Sequence, residues 1–268
     1  MEKTIKSVVF CIVLGIASTQ IYAENKIRFG VKGGVNASTT LVSLSEYEPQ
    51  NAYKRYDANY KYNAGFNAGI LVEFPLINKL SFQPELLFST KGMRNESFIT
   101  RDMLSYSGIQ TTELHAISKL TSYYIECPLY LKAHLDLNKS GRFIAGLGPY
   151  FAYGLSGRMK TEFVVSNSWR HWRGEKNIFK EDDLIFNEST SDVNLAGWIR
   201  EPYWRKSLKR FDGGVSAFIG YEFHEKWFTT ITYDIGLVNF LNSAEAWDGE
   251  VDGKMYNRTF SISLGYKF

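Results

Sequence analysis

The chain has 268 residues, of which 44% are hydrophobic, 22% charged and 16% aromatic, with six prolines, 22 glycines and two cysteines. These values exclude a disordered, collagen-like or disulfide-stapled protein, and a formal charge of +3 is too small to argue for nucleic acid as a partner. The aromatic fraction is the unusual number: it needs surroundings that reward Phe, Tyr and Trp, and a membrane interface is one such place.

Lys3 and Lys6 precede an apolar run from Val8 to Ala17, and Ile21-Tyr22-Ala23 ends on the small residue that a signal peptidase requires. The run is too short for a membrane-spanning helix, which needs about 20 apolar residues. Residues 1–23 therefore read as a cleaved secretory signal and 24–268 as one mature domain. Bulky Phe10 beside Cys11 argues against a lipid anchor. The mature chain keeps Cys127, which falls in a predicted strand and reads as a packed apolar residue.

After the signal, no stretch approaches the ~18 consecutive apolar residues of a helical span. Period-two alternation recurs instead and predicts strands at about 27–38, 63–74, 80–89, 122–135, 142–155, 211–223, 227–239 and 256–268. In the last, Tyr256, Phe260, Ile262, Leu264, Tyr266 and Phe268 share one face, while Asn257, Thr259, Ser261, Ser263, Gly265 and Lys267 share the other. The connections alternate: 39–62, 90–121, 156–210 and 240–255 are long, and 75–79, 136–141 and 224–226 are short. An all-β, eight-stranded antiparallel transmembrane β-barrel has this layout, with four long extracellular loops, three short periplasmic turns and both termini in the periplasm.

Alternation does not say which face points outward, but volume does. The apolar face carries Phe29, Phe66, Phe74, Phe82, Phe88, Tyr123, Phe143, Phe151, Tyr153, Phe211, Tyr221, Phe223, Trp227 and Tyr233 besides the aromatics of the last strand. An eight-stranded barrel has an interior only just wide enough for ordinary side chains, so these rings face lipid. Glycines such as Gly34, Gly69, Gly146, Gly154, Gly220 and Gly265 line the opposite face, as a crowded lumen needs. On that face Arg28, Lys32, Lys132, Arg142 and Lys267 stand against Glu73, Glu85, Glu126, Asp212, Glu222 and Asp234. Nearly balanced charge in a narrow lumen predicts a polar plug of ion pairs rather than an open pore. Arg258 is the one strand cation on the apolar face, near a loop, where it can snorkel.

Phe74, Phe143, Phe223, Trp227 and Phe268 lie beside the short turns, as an interfacial aromatic girdle does. Pro84, Pro128 and Pro149 fall inside predicted strands and each removes a ladder donor, which predicts bulges or local gaps.

The runs Phe82-Gln83-Pro84-Glu85-Leu86-Leu87-Phe88-Ser89 with Lys91-Gly92, Tyr124-Ile125-Glu126-Cys127-Pro128-Leu129-Tyr130-Leu131-Lys132, and Gly146 to Gly154 resemble the PorT-like outer-membrane β-barrel domain common in Bacteroidota. The terminal Tyr266-Lys267-Phe268 is similar to the aromatic signal read by the outer-membrane assembly machinery. The resemblance spans roughly 25–268 and implies the barrel rather than an activity. Members are mostly of unknown function, and the eponymous one is implicated in a secretion system.

The residues offer little chemistry. His115 and His171 fall in expected loops, His224 in a tight turn and His134 at a strand end, where it suits an interior hydrogen bond better than an acid–base pair with Glu126 or Lys132. No His-x-Ser pair of a deacylase-like barrel is present. Glu181-Asp182-Asp183 and the Asp248–Gly253 stretch lack the EF-hand spacing, so neither a metal nor a cofactor is expected. Trp169-Arg170-His171-Trp172-Arg173 and Trp204-Arg205 interleave rings with cations in the third long loop. They suit stacking on sugars and pairing with phosphates, and equally packing against the barrel rim or lipopolysaccharide. The expected function is a non-enzymatic outer-membrane barrel whose loops bind a partner or stabilise the envelope. Its partners are membrane lipid, lipopolysaccharide or other envelope proteins. An accessory role in secretion and a lipid-modifying activity are the alternatives.

Overall fold

The computed structural model describes residues 27–44, 55–105, 108–138, 141–165, 171–179, 185–186, 208–241, 244–246, 249–251 and 253–268. In chain order the strands are β1 (Arg28–Leu44), β2 (Arg55–Ile77), β3 (Leu80–Ser105), β4 (Gly108–Asn138), β5 (Gly141–Val165), β6 (His171–Asn177), β7 (Ile185–Phe186), β8 (Phe211–Phe223), β9 (Trp227–Gly236), β10 (Ala244–Ala246), β11 (Gly249–Val251) and β12 (Gly253–Lys267). Eight of them run antiparallel in the order β4-β3-β2-β1-β12-β9-β8-β5, and β4 pairs with β5 to close the ring. Closure leaves no edge strand whose backbone groups would face lipid unpaired. β6 and β7 extend the sheet beside the upper part of β5, and β10 and β11 form a separate ribbon.

The faces divide as volume requires. Phe29, Phe143, Phe151, Tyr153, Ile219, Trp227, Ile262 and Phe268 are exposed on the outer wall, while Lys132, Asp212, Glu222 and Lys267 are buried inside. Rings also form rows along that wall, as in Phe66–Phe88–Tyr123, whose successive centroids are 5.9 Å apart. At the turn end Trp227, Tyr266 and Phe268 stack edge to face.

The strands run further than the hydrophobic pattern does. Of residues 90–121, expected to be a loop, 90–105 and 108–121 are the upper parts of β3 and β4, paired from Leu87↔Glu126 to Ser105↔Gly108 without a register shift. The reason is that lipid no longer demands an apolar outer face beyond the membrane. Arg94 and Glu96 therefore stand outside while Asn95 and Ser97 are buried inside, and the backbone ladder continues although the apolar alternation does not. β1, β2 and β5 extend in the same way into residues expected to be loop, and His115 lies on β4, stacked on Phe98 at 4.3 Å.

The prolines mark local gaps. The β3–β4 ladder skips two residue pairs after Pro84↔Leu129, where Pro128 stands opposite Glu85, and the β4–β5 ladder skips two after Pro128↔Tyr150, where Pro149 stands opposite Leu129; each resumes in the same register. On its other side Pro149 pairs with Val215 inside an unbroken β5–β8 register. The register shifts fall in β2 between Tyr62 and Asn67, in β5 at Leu155, and next to the short turns between Pro75 and Ile77 and between Asp136 and Asn138. The β2 bulge is closed by hydroxyls: Phe66 N donates to Thr90 Oγ1 at 2.8 Å, and Gly92 N donates to Ser38 Oγ at 2.7 Å. Gly65 sits in this bulge, where a Cβ would overlap Thr90 Oγ1 and Asn36 Oδ1.

Candidate functional site

Among the described residues the barrel's interior concentrates the buried charge, and it is layered. At the turn end, Lys132 and Lys267 lie between Glu73 and Glu222. Lys132 Nζ is 3.1 Å from each carboxylate, and Lys267 Nζ is 2.6 Å from Glu73 and 2.5 Å from Glu222. Arg142 donates to the other oxygen of Glu222 at 2.5 Å, and Ser81 donates to Glu73 at 3.0 Å. Arg28 is partly exposed and bridges the cluster to the turn: it lies 3.6 Å from Glu222, 3.9 Å from Glu73 and 3.2 Å from Glu225. Two buried ammoniums alternating with two buried carboxylates keep each charge beside its opposite, which a dry interior requires.

The next layer is apolar. Leu71, Tyr130, Ile144, Phe218 and Phe228 fill the lumen, and Tyr130 meets Phe218 edge to face at 4.8 Å. Glycines make room for the rings: a Cβ on Gly146 would overlap Phe218, and one on Gly265 would overlap Phe228.

Above it a second polar layer joins the remaining charges. Lys32 Nζ donates to Glu85 at 2.6 Å, and Gln83 donates to the other Glu85 oxygen at 2.8 Å. Ser216 donates to Asp234 at 2.5 Å, so the Tyr130 hydroxyl, 2.7 Å from Ser216, is the donor in that pair. Asp212 accepts from Tyr150, from Asn257 and from the Gly213 amide. Lys91 completes the layer, 2.7 Å from Glu126 and 3.8 Å from Asp212, with its ammonium 4.4 Å from the Tyr150 ring centroid. A cavity of about 10 Å³ remains between Lys32, Glu126, Tyr130 and Asp234, room for about one water.

All eleven charged lumen residues expected from sequence thus face the interior, in two groups separated by an apolar floor. Lys91 was missed because the strand was ended at Ser89. Continuing the period from Glu85 through Leu87 and Ser89 places it on the same face. With it, six cations (Arg28, Lys32, Lys91, Lys132, Arg142 and Lys267) face the six carboxylates inside the barrel among the described residues.

The loop end is closed by apolar residues. Ile178 and Phe179, just after β6, pack with Leu120, Tyr124, Tyr150 and Ala152. The two side chains enter dents left by Gly157 and Gly154, beside the Leu155 bulge. Backbone bonds from Ile178 N to Gly157 O at 3.2 Å and from Leu208 N to Ile178 O at 2.6 Å hold the segment in place. Arg210 lies over Phe179 at 4.9 Å and donates to the Gly154 and Leu155 carbonyls.

Of the loop candidates, Trp169, Arg170, Trp204 and Arg205 lie outside the described residues, as do residues 1–23. His171, Trp172 and Arg173 open β6, where the backbone pairs them with Val164, Phe163 and Glu162. Among the described residues no histidine side chain hydrogen-bonds a carboxylate of the layers: His115 is on the outer wall, His134 borders the turn-end layer with a buried Nδ1 that lacks the interior hydrogen bond expected of it, and His224 is in the β8–β9 turn. Ser216 therefore contacts an acid and a phenol with no imidazole beside it, which is a structural hydrogen-bond chain rather than an activated nucleophile.

A comparison with curated proteins finds no match. Among solved structures the chain is similar to the outer membrane protein OprG of Pseudomonas aeruginosa, at 12% identity and a TM-score of 0.42 over 90% of this chain and 95% of that one. It is also similar to Ail, the attachment invasion locus protein of Yersinia pestis, at 10% identity and a TM-score of 0.32 over 91% and 100%. A third is the outer membrane protease OmpT of Escherichia coli, at 11% identity and a TM-score of 0.31 over 93% and 100%. The sequence model of the outer membrane protein beta-barrel domain matches residues 17–242. That is most of the chain, and the closed, lipid-faced ring of eight strands is the architecture such a domain requires: the chain belongs to the outer membrane protein beta-barrel domain family.

Proposed function

We propose that this protein is a non-enzymatic, non-conducting outer-membrane barrel whose work is done on its outside, by the extended strands and loops at the loop end, in stabilising the envelope or holding a partner. The observation that carries this reading is the closed lumen: two ion-paired layers, an apolar floor between them and the Ile178–Phe179 cap at the mouth. Charges neutralised pairwise inside a barrel hold its wall together and leave neither a path for ions nor an acid or base presented to a substrate.

In this reading residues 1–23 are a signal cleaved after about Ala23, the short turns and both termini face the periplasm, and the extended strands face outward. The PorT-like motifs at Phe82–Ser89 and Tyr124–Lys132 support a place among the PorT-like barrels of Bacteroidota.

Reconstitution into planar bilayers tests the proposal, with background conductance as the expected result. Resolved single-channel steps would overturn the plugged-lumen part, and release of acyl chains or peptides by the purified protein would overturn the non-enzymatic part. Co-purification in fixed stoichiometry with other envelope proteins would assign it to a secretion machine.

A further inference from the structure

The strand register brings together cations that are far apart in sequence. Lys61 stands opposite Arg94 on β2 and β3, Arg94 opposite Lys119 on β3 and β4, and Lys119 opposite Lys160 on β4 and β5. One step nearer the membrane, Arg158 stands opposite Thr121. All five cations are exposed on the outer wall. Directly opposed side chains lie about 5 Å apart, where like charges destabilise a sheet, so a row of this kind calls for an anionic counterpart. Glu96 supplies part of it, accepting from Lys61 at 2.5 Å and lying 3.1 Å from Arg94. Glu162, and Glu175 opposite Lys160 on β6, supply more; five cations against three carboxylates still leave the patch an excess of positive charge.

Its height on the wall identifies the counterpart. The lipid-facing side of β4 runs through Leu135, Leu131 and Ile125 to Tyr123, and the next residues on that face are Thr121 and Lys119. On β5 the apolar wall runs through Tyr153 to Leu155 at the bulge, and Arg158 and Lys160 follow. The cations thus sit one step past Tyr123 and Leu155, between that apolar band and the outer Phe98–His115 stack, at headgroup level. Lys119, Thr121, Tyr123, Arg158 and Lys160 line a notch of about 390 Å³ there.

Building on the membrane placement proposed above, we propose that this notch binds the phosphate groups of a phosphorylated glycolipid of the outer leaflet. Lys119, Arg158 and Lys160 hold the phosphate oxygens, and the acyl chains run down the Tyr123–Ile125 wall. A lipid suits the notch better than a free anion because its floor opens onto apolar surface. Arg158 adds paired donors that match a phosphate.

The test uses the full mature chain folded in detergent micelles and titrated, by native mass spectrometry, with bis-phosphorylated lipid A, with the same lipid dephosphorylated, and with inorganic phosphate. Removing three charge-assisted contacts predicts that Lys119→Gln/Arg158→Gln/Lys160→Gln weakens lipid A binding by about tenfold or more, while Lys119→Arg/Lys160→Arg retains it. Dephosphorylation of the lipid has the same effect as the triple substitution. Equal binding of the dephosphorylated lipid, or full displacement of lipid A by equimolar phosphate, overturns the proposal. Unchanged affinity in a triple variant that keeps its heat-dependent SDS mobility shift overturns the site and leaves the barrel standing. A wild-type chain with no such shift overturns both.

Discussion

The ammonium of Lys91 lies 2.7 Å from the carboxylate of Glu126, both side chains almost fully enclosed, on neighbouring strands in the upper lumen layer. Neither group could stay charged alone in that interior, because burial without an opposite charge costs several kcal/mol per ion. We expect Lys91→Met to destabilise the barrel by about 3–5 kcal/mol, since it leaves Glu126 unpaired. Lys91→Met/Glu126→Gln should recover most of that loss. Urea midpoints of protein folded in micelles measure both, and a double variant no better than the single would show that the pair is not coupled.

Glu222 and Glu85 should differ in weight. Glu222 contacts Lys132, Lys267, Arg142 and Arg28, whereas Glu85 contacts Lys32 and Gln83. Neutralising Glu222 leaves Lys132 and Lys267 sharing Glu73 and strips Arg142 of a buried partner. Glu222→Gln is expected to lower the unfolding midpoint further than Glu85→Gln, by roughly the cost of a second broken buried pair, about 3 kcal/mol. Equal midpoints would contradict the ring arrangement at the turn end.

Phe179 closes the mouth without bearing the plug. Phe179→Ala removes a buried ring worth about 3–5 kcal/mol of local packing and should release the segment after β6. Limited proteolysis near residues 171–179 is expected to accelerate. Conductance should stay at background, because the Lys91 and Lys267 layers lie below the cap. A variant that conducts would mean that the cap, and not the ion pairs, seals the barrel.

The β8–β9 turn holds two non-glycine residues in the left-handed region, His224 at φ 47° and Glu225 at φ 55°. That conformation costs a side-chain-bearing residue about 1–2 kcal/mol. His224→Gly should raise stability by about 1 kcal/mol. Glu225→Gly relieves the same strain but removes the carboxylate 3.2 Å from Arg28, so its net gain should be smaller. Thermal midpoints of the two variants, compared side by side, test the difference.

Leu147, exposed on the outer wall of β5 opposite Leu131 and Ala217, stands within the apolar band. Leu147→Arg should cost about 2–4 kcal/mol in a bilayer. The variant's deficit should shrink in short-chain detergent, where the head of the arginine reaches water. A variant as stable as the wild type in bilayers would argue against a lipid-facing position.

Period-two alternation, the alternating loop lengths and the volume of the apolar face determined the barrel before any coordinates. These are local signals: a residue's neighbours two places away reveal its face, and Tyr256 to Phe268 show it plainly. The same alternation put eleven charged residues inside. It lost Lys91 and the upper halves of β3 and β4, because the hydrophobic signal stops where lipid stops although the hydrogen-bond ladder does not.

Partnership was decided only in three dimensions. That Lys267 bridges Glu73 and Glu222, that Phe179 enters the dent at Gly154, and that Lys61, Arg94, Lys119 and Lys160 form one row all depend on strand register. Register joins residues from distant parts of the chain, and a one-residue slip would turn every one of these side chains to the other face. Sequence periodicity therefore determined which side of the wall each residue takes, and the closure of the ring decided which charges meet.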